Sequence, residues 1–285
     1  MVKSQVVYQG IIKDHSNHPI PYATITSTDK LITIGNEDGS FYFNLPDTSG
    51  FGNLHISCIG FETKVIPLSG LHIPSSIQLI STSYLLDEVT VGNPLRNGKD
   101  KKWGSKLAKP YGRFCDHLGC GWGLEFKNDK KKNGYIKSIG FFISEKVGAS
   151  AKFRARIYQL GDDGKSITLL LNKNLIVNDT LAANNWFDVD VEKYKLRLPT
   201  NGFIVLMEWL PENKEVAYEY MSKDSLQRES KTKCFGQVLA GTSEFEENLT
   251  WFLNPMGRVS KSQMNPAIKF LNTFNPMIRA VVSIE

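Results

Sequence analysis

The chain has 285 residues, of which 41% are hydrophobic and 22% charged, with a formal net charge of +5. This is the make-up of a soluble globular chain with room for two domains of ordinary size. It excludes helical membrane spans, because no run approaches about 18 apolar residues, and its mild basic excess falls short of a nucleic-acid signature.

The first strand is expected over residues 6–12, a run of Val, Tyr, Gln, Gly and Ile. Asn17, Pro19 and Pro21 then punctuate a turn region that also holds His15 and His18. Residues 22–26 and the β-branched run 31–34 read as further strands. Asp38-Gly39 is a turn dipeptide, since Gly accepts positive φ without penalty. Phe41 and Phe43 alternate with polar neighbours after it, so residues 31–34 and 41–43 are expected to pair as a hairpin around Asp-Gly. Residues 54–59, 61–67, 77–80 and 89–91 complete a series of short strands. Many short strands with turns between them and no helical period predict a β-sandwich.

Four stretches carry a resemblance, in this order. They are Gly10 with residues 19–25 (PIPYATI), residues 35–41 (GNEDGSF), residues 57–63 (SCIGFET) and residues 86–91 (LDEVTV). Together they resemble the carboxypeptidase-regulatory-like domain, a seven-stranded transthyretin-like sandwich found in envelope proteins of Bacteroidetes-type bacteria. The resemblance covers residues 6–91 and implies an envelope protein, not a peptidase. Such domains often precede the plug of TonB-dependent outer-membrane receptors. The roughly 200 residues that follow lack the many alternating strands of a receptor barrel, so transport is not expected. The first five residues show no apolar h-region. The compartment is therefore the cytosol, or the periplasm or cell surface if a leader is missing from this sequence.

Residues 92–121 begin polar, basic and rich in Gly, Asn and Pro, and read as an inter-domain linker. Cys115, His117 and Cys120 form the one cluster of ligand-type side chains. They would supply three zinc ligands, or a thiolate near a histidine as a nucleophile, and so define the alternative reading of a hydrolase or metal-dependent enzyme. No second ligand pair accompanies them. The other readings are a small-loop disulfide between Cys115 and Cys120, if the protein is exported, or two half-buried thiols. The expectation is no metal and no other cofactor. Cys58 lies in a β run and is expected in the core.

Residues 122–285 are expected to form a second, jelly-roll-like antiparallel sandwich. The lysine run 130–132, flanked by Asn, Asp and Gly, reads as a solvated loop that would otherwise meet an acidic partner. Phe153, Ala155 and Ile157 alternate with Lys152, Arg154 and Arg156, which are expected to face out. Residues 202–210 are nearly all apolar and suit a central strand covered on both sides. Asp188 and Asp190 share one strand face, as outward charges do. The pattern of residues 195–199, 202–205 and 208–209 is similar to other envelope proteins that carry the same first domain. No His-x-x-Glu pair, Gly-x-Ser-x-Gly elbow or phosphate-binding glycine loop is present.

The sequence thus predicts an all-β, non-catalytic chain that acts as a binding module for a glycan or an envelope protein. Nucleic acid is not an expected partner. Trp103, Tyr111, Trp122, Tyr218, Tyr220 and Trp251 are the candidate stacking residues, with ordinary packing as the competing reading of each.

Overall fold

A computed structural model of the chain describes residues 6–28, 30–45, 52–71, 74–82, 98–106, 110–115, 118–146, 151–179, 183–210, 216–223, 229–262 and 274–285. Among them the elements are strands, with two three-residue 3-10 turns at Leu68–Gly70 and Glu192–Tyr194. The chain divides into two compact units, one built on residues up to Glu88 and one on residues from Val89.

The first unit holds β1 (Val6–Lys13), β2 (Thr24–Ser27), β3 (Lys30–Ile34), β4 (Ser40–Leu45), β5 (Asn53–Ser57), β6 (Lys64–Pro67) and β7 (Ser75–Gln78). Three strands form one sheet in the order β4-β1-β7, and four form the other in the order β3-β2-β5-β6. This is the expected seven-stranded sandwich. Tyr8, Ile12, Phe41, Phe43 and Ile77 of the first sheet meet Ile25, Leu54 and Ile56 of the second in one core. Tyr8 and Phe43 face each other across β1 and β4 with ring centres 5.1 Å apart. Gly10 lets the chain close here. A Cβ on it would lie 2.2 Å from the Ser75 carbonyl oxygen of β7 and 2.8 Å from the Phe41 ring.

The expected hairpin around Asp38-Gly39 does not form, although the turn does. Gly39 has φ +76°, and its N–H donates to the Asn36 carbonyl at 3.1 Å. The Asp38 carboxylate accepts the Ser40 N–H at 2.9 Å. Beyond the turn, however, β3 pairs with β2 while β4 pairs with β1. The turn is an arch between two sheets. The cause is on either side of it: the Ile12 N–H of β1 takes the Gly39 carbonyl at 2.9 Å, and the Tyr22 N–H takes the Asn36 carbonyl at 3.2 Å.

The second unit has its first described strands inside the expected linker. β8 (Lys99–Gly104) and β9 (Gly112–Phe114) lie within residues 92–121, and both are strands of the second unit's sheet. β8 carries no apolar alternation to mark it, since Lys99–Lys102 are exposed and only the half-buried Trp103 packs on the core. Next come β10 (Gly121–Lys127), β11 (Gly134–Lys146), β12 (Ala151–Leu160), β13 (Ile167–Leu169), β14 (Leu175–Asp179), β15 (Asn185–Asp190), β16 (Leu196–Arg197) and β17 (Gly202–Trp209). After these come β18 (Val216–Lys223), β19 (Glu229–Phe235), β20 (Gln237–Thr242), β21 (Thr250–Leu253), β22 (Val259–Lys261), β23 (Asn275–Pro276) and β24 (Ile278–Ile284). One sheet runs β13-β12-β17-β10-β21-β22, with β14 also on β12. The other runs β23-β20-β11-β24-β8, with β15 and β16 on β11 and β9 on β20. β18 and β19 pair with each other as a separate ribbon. The sandwich core is filled by Phe126, Phe153, Ile157, Phe203 and Val205 from the first sheet against Ile139, Phe141, Leu239, Ile278 and Ala280 from the second.

Every residue of β17 is buried, as a central strand covered on both faces requires. This corrects the reading of β12. Phe153, Ala155 and Ile157 do face the core, but Arg154 and Arg156 are not solvated on the other face. Arg154 lies opposite Glu208 in the β12–β17 register, and its side chain is 1% exposed. Arg154 Nη1 donates to the two Glu208 carboxylate oxygens at 3.0 and 3.2 Å, and Arg156 Nε donates to one of them at 2.6 Å. Arg156 also donates to the Tyr158 hydroxyl at 3.2 Å. Burial raises the Glu208 pKa, yet the two guanidinium charges outweigh it and hold the carboxyl below its usual range.

Candidate ligand-binding cleft

β9 is a short strand placed by its neighbour β20. Phe114 lies opposite Leu239, Arg113 opposite Ala240 and Gly112 opposite Gly241. Tyr111, just before it, donates its N–H to the Gly241 carbonyl at 2.8 Å. The core side of this pairing is closed by Phe274, which stacks on Phe114 with ring centres 4.8 Å apart. The missing side chains of Gly112 and Gly241 make room for that ring, which comes within 2.6 Å and 2.2 Å of where their Cβ atoms would be.

On the far side of β20 runs the C-terminal end of β11, which passes a bulge between Ile143 and Glu145. Ser144 sits at the bulge and donates its hydroxyl to the Val238 carbonyl at 3.0 Å. Glu145 reaches back across the sheet and accepts from Arg113, with Nε at 2.7 Å and Nη2 at 2.6 Å from the same oxygen. Asn184 completes the group, its N–H on the Ile143 carbonyl at 2.6 Å and its backbone at φ +62°. Pro110, Tyr111, Gly112, Arg113, Ser144 and Asn184 line a cleft of about 250 Å³. Tyr111 is 64% exposed. The cleft thus sets an exposed aromatic residue beside a guanidinium–carboxylate pair and a hydroxyl.

The other candidate aromatics fare differently. Trp251 lies on β21 and is 1% exposed, with Nε1 donating to Glu125 at 2.9 Å. It is a core residue and not a platform. Trp122 is half-buried between Phe114 and Phe252, with ring centres at 5.3 and 4.7 Å. Trp103 is half-buried and stacked on Phe203. Tyr218 and Tyr220 lie on β18, outside the residues whose side chains are described. Of the sequence candidates, Tyr111 lines this cleft; Arg113, Ser144 and Asn184 line it too and were not among the candidates. No local signal marks them, because strand register alone brings them together.

The cysteine cluster is also corrected. Cys115 is disulfide-bonded, whereas Cys120 and Cys58 carry thiols, so no bridge joins Cys115 to Cys120. The partner of Cys115 lies outside the residues whose side chains are described, as does His117. A disulfide sulfur is neither a thiolate ligand nor a nucleophile. Among the described residues no group of three His, Cys, Asp or Glu side chains is placed to hold a metal ion. Asp188 of the strand-face pair is bound by Arg279, whose guanidinium also lies 4.2 Å from the Trp186 ring centre.

No protein-family model matches the chain, and no curated protein matches it. Among solved structures, a variant of BcpA, the major pilin subunit of Bacillus cereus, aligns over 83% of this chain and 69% of its own, at 8% identity and a TM-score of 0.20. Another BcpA structure aligns over 97% of this chain and 95% of its own, at 5% identity and a TM-score of 0.18. Similarity this distant carries no argument about fold or function. No helix among the described residues is long and apolar enough to cross a membrane.

Proposed function

We propose that the chain is a non-catalytic binding protein of the cell envelope, and that the cleft at Tyr111 takes a saccharide. The observation that carries this reading is the exposed Tyr111 beside the Arg113–Glu145 pair. A sugar ring presents an apolar face for stacking and a rim of hydroxyls that both donate and accept. Because the guanidinium is already neutralised by Glu145, the pair suits a neutral sugar better than an acidic one. The disulfide at Cys115 supports an oxidising compartment outside the cytosol. It also weighs against the enzyme reading, which needs Cys115 as a thiolate. In this reading the first unit is a carboxypeptidase-regulatory-like domain, separate from the binding sandwich.

A glycan array probed with wild-type and Tyr111→Ala protein tests the proposal. Wild-type binding to a neutral glycan, lost in Tyr111→Ala, is expected. No bound glycan, or a pattern indifferent to the substitution, overturns it.

A further inference from the structure

Lys99, Lys101 and Lys102 on the edge strand β8 are exposed, and so are Lys130 and Lys131 in the turn between β10 and β11. The sequence separates these groups by nearly 30 residues, but the sheet brings them together. Ile284 of β24 lies opposite Lys99 on one side and opposite Gly134 on the other. Two strand spacings, about 10 Å, therefore separate the β8 backbone from the start of β11.

The lysine turn is held in one shape. Buried Asn128 accepts the Lys132 N–H at 2.9 Å and donates to the Lys132 and Pro199 carbonyls at 2.9 and 3.0 Å. Lys131 is held at φ +45°, a left-handed conformation that disfavours side chains other than glycine. The charge density is felt by its members: Lys101, then burial, then Lys130 depress the Lys132 pKa. The acids nearby do not cancel it. Asp100 is occupied by Lys137 at 3.1 Å, which leaves Asp129 and Glu285.

We propose that this surface, formed by Lys99 and Lys101 on one face of β8 and by Lys130, Lys131 and Lys132 in the turn, binds a linear polysaccharide bearing carboxylates. A row of cations along a strand and a rigid turn matches spaced charges on a chain, where a single small anion would use only a part of it. None of the exposed large hydrophobic side chains of the described residues belongs to this surface, so it has no wedge for a lipid bilayer and no stacking platform for nucleotide bases. The proposal is independent of the Tyr111 cleft, which lies elsewhere and is assigned a neutral sugar.

Binding of the full chain to polygalacturonate is measured by biolayer interferometry over a salt series. Dextran, a single-stranded oligonucleotide and phosphatidylglycerol vesicles are run in parallel. Wild-type protein should bind polygalacturonate, and its affinity should fall by on the order of tenfold or more between about 50 and 200 mM salt. Lys101→Glu with Lys132→Glu should weaken binding by about tenfold or more, and arginine at both positions should restore it. Lys165→Glu, on an exposed turn of the other sheet, should leave it unchanged. Tryptophan fluorescence on heating confirms that each variant is folded. No binding at low salt, preference for the oligonucleotide or the vesicles, or full binding by the double glutamate variant would overturn the proposal.

Discussion

Replacing Glu208 with Gln tests how the second sandwich tolerates charge between β12 and β17. Glu208 is 2% exposed and holds two guanidinium groups, Arg154 at 3.0 Å and Arg156 at 2.6 Å. The amide keeps the shape but removes the carboxylate charge that both guanidinium groups share. Breaking a buried ion pair by removing one partner costs about 3–5 kcal/mol, mostly because the remaining charge is left uncompensated. Replacing all three residues together (Arg154→Met, Arg156→Met, Glu208→Leu) should cost far less, since no charge is then stranded. Urea denaturation followed by tryptophan fluorescence reads this directly. All five tryptophans (103, 122, 186, 209 and 251) belong to the second unit, so the signal ignores the first. The pH dependence adds a second arm. The folded pKa of Glu208 lies below its unfolded value, so its contribution is present above the ordinary glutamate range and lost as pH falls through the folded value. Glu208→Gln should lose that part of the acid sensitivity. A loss under about 1 kcal/mol, or a triple variant no more stable than the single one, would refute the reasoning.

Two other outcomes follow from the fold. Gly39→Val should destabilise the first unit by on the order of 1–3 kcal/mol, because φ there is +76° and a Cβ would lie 2.7 Å from the Ile12 carbonyl oxygen; far-UV circular dichroism of the full chain in urea reads the cost, and an unmoved first transition would contradict the arch. Thiol titration of denatured protein, purified without reductant, should find fewer than the four cysteines of the sequence, and all four after reduction. Four reactive thiols from the start would remove the disulfide at Cys115.

Much of the architecture could be read from residue alternation. Phe153, Ala155 and Ile157 face the core as their spacing requires, and the apolar run of β17 is covered on both sides. What failed were inferences about partners on other strands. Asp38-Gly39 reads as a hairpin turn because local chemistry fixes a turn but not the strand each arm pairs with. Arg154 and Arg156 read as solvated because alternation assigns a face and cannot show that Glu208 waits on it, more than 50 positions away. Trp251 reads as a stacking candidate for the same reason, since its partner Glu125 comes from β10. The cleft was legible only at Tyr111. Arg113 and Glu145 meet because β20 lies between their strands, a juxtaposition no local motif records.

The central claim is that the Tyr111 ring is a saccharide platform, and calorimetric titration tests it most directly. The titrant is the neutral glycan bound best on the array, and the proteins are wild type, Tyr111→Phe and Tyr111→Ala. Loss of an aromatic anchor in a binding surface costs about 1–2 kcal/mol, or roughly 5- to 30-fold in Kd. The account predicts that loss in Tyr111→Ala and near-wild-type affinity in Tyr111→Phe, which keeps the ring. Equal affinity for wild type and Tyr111→Ala would contradict it.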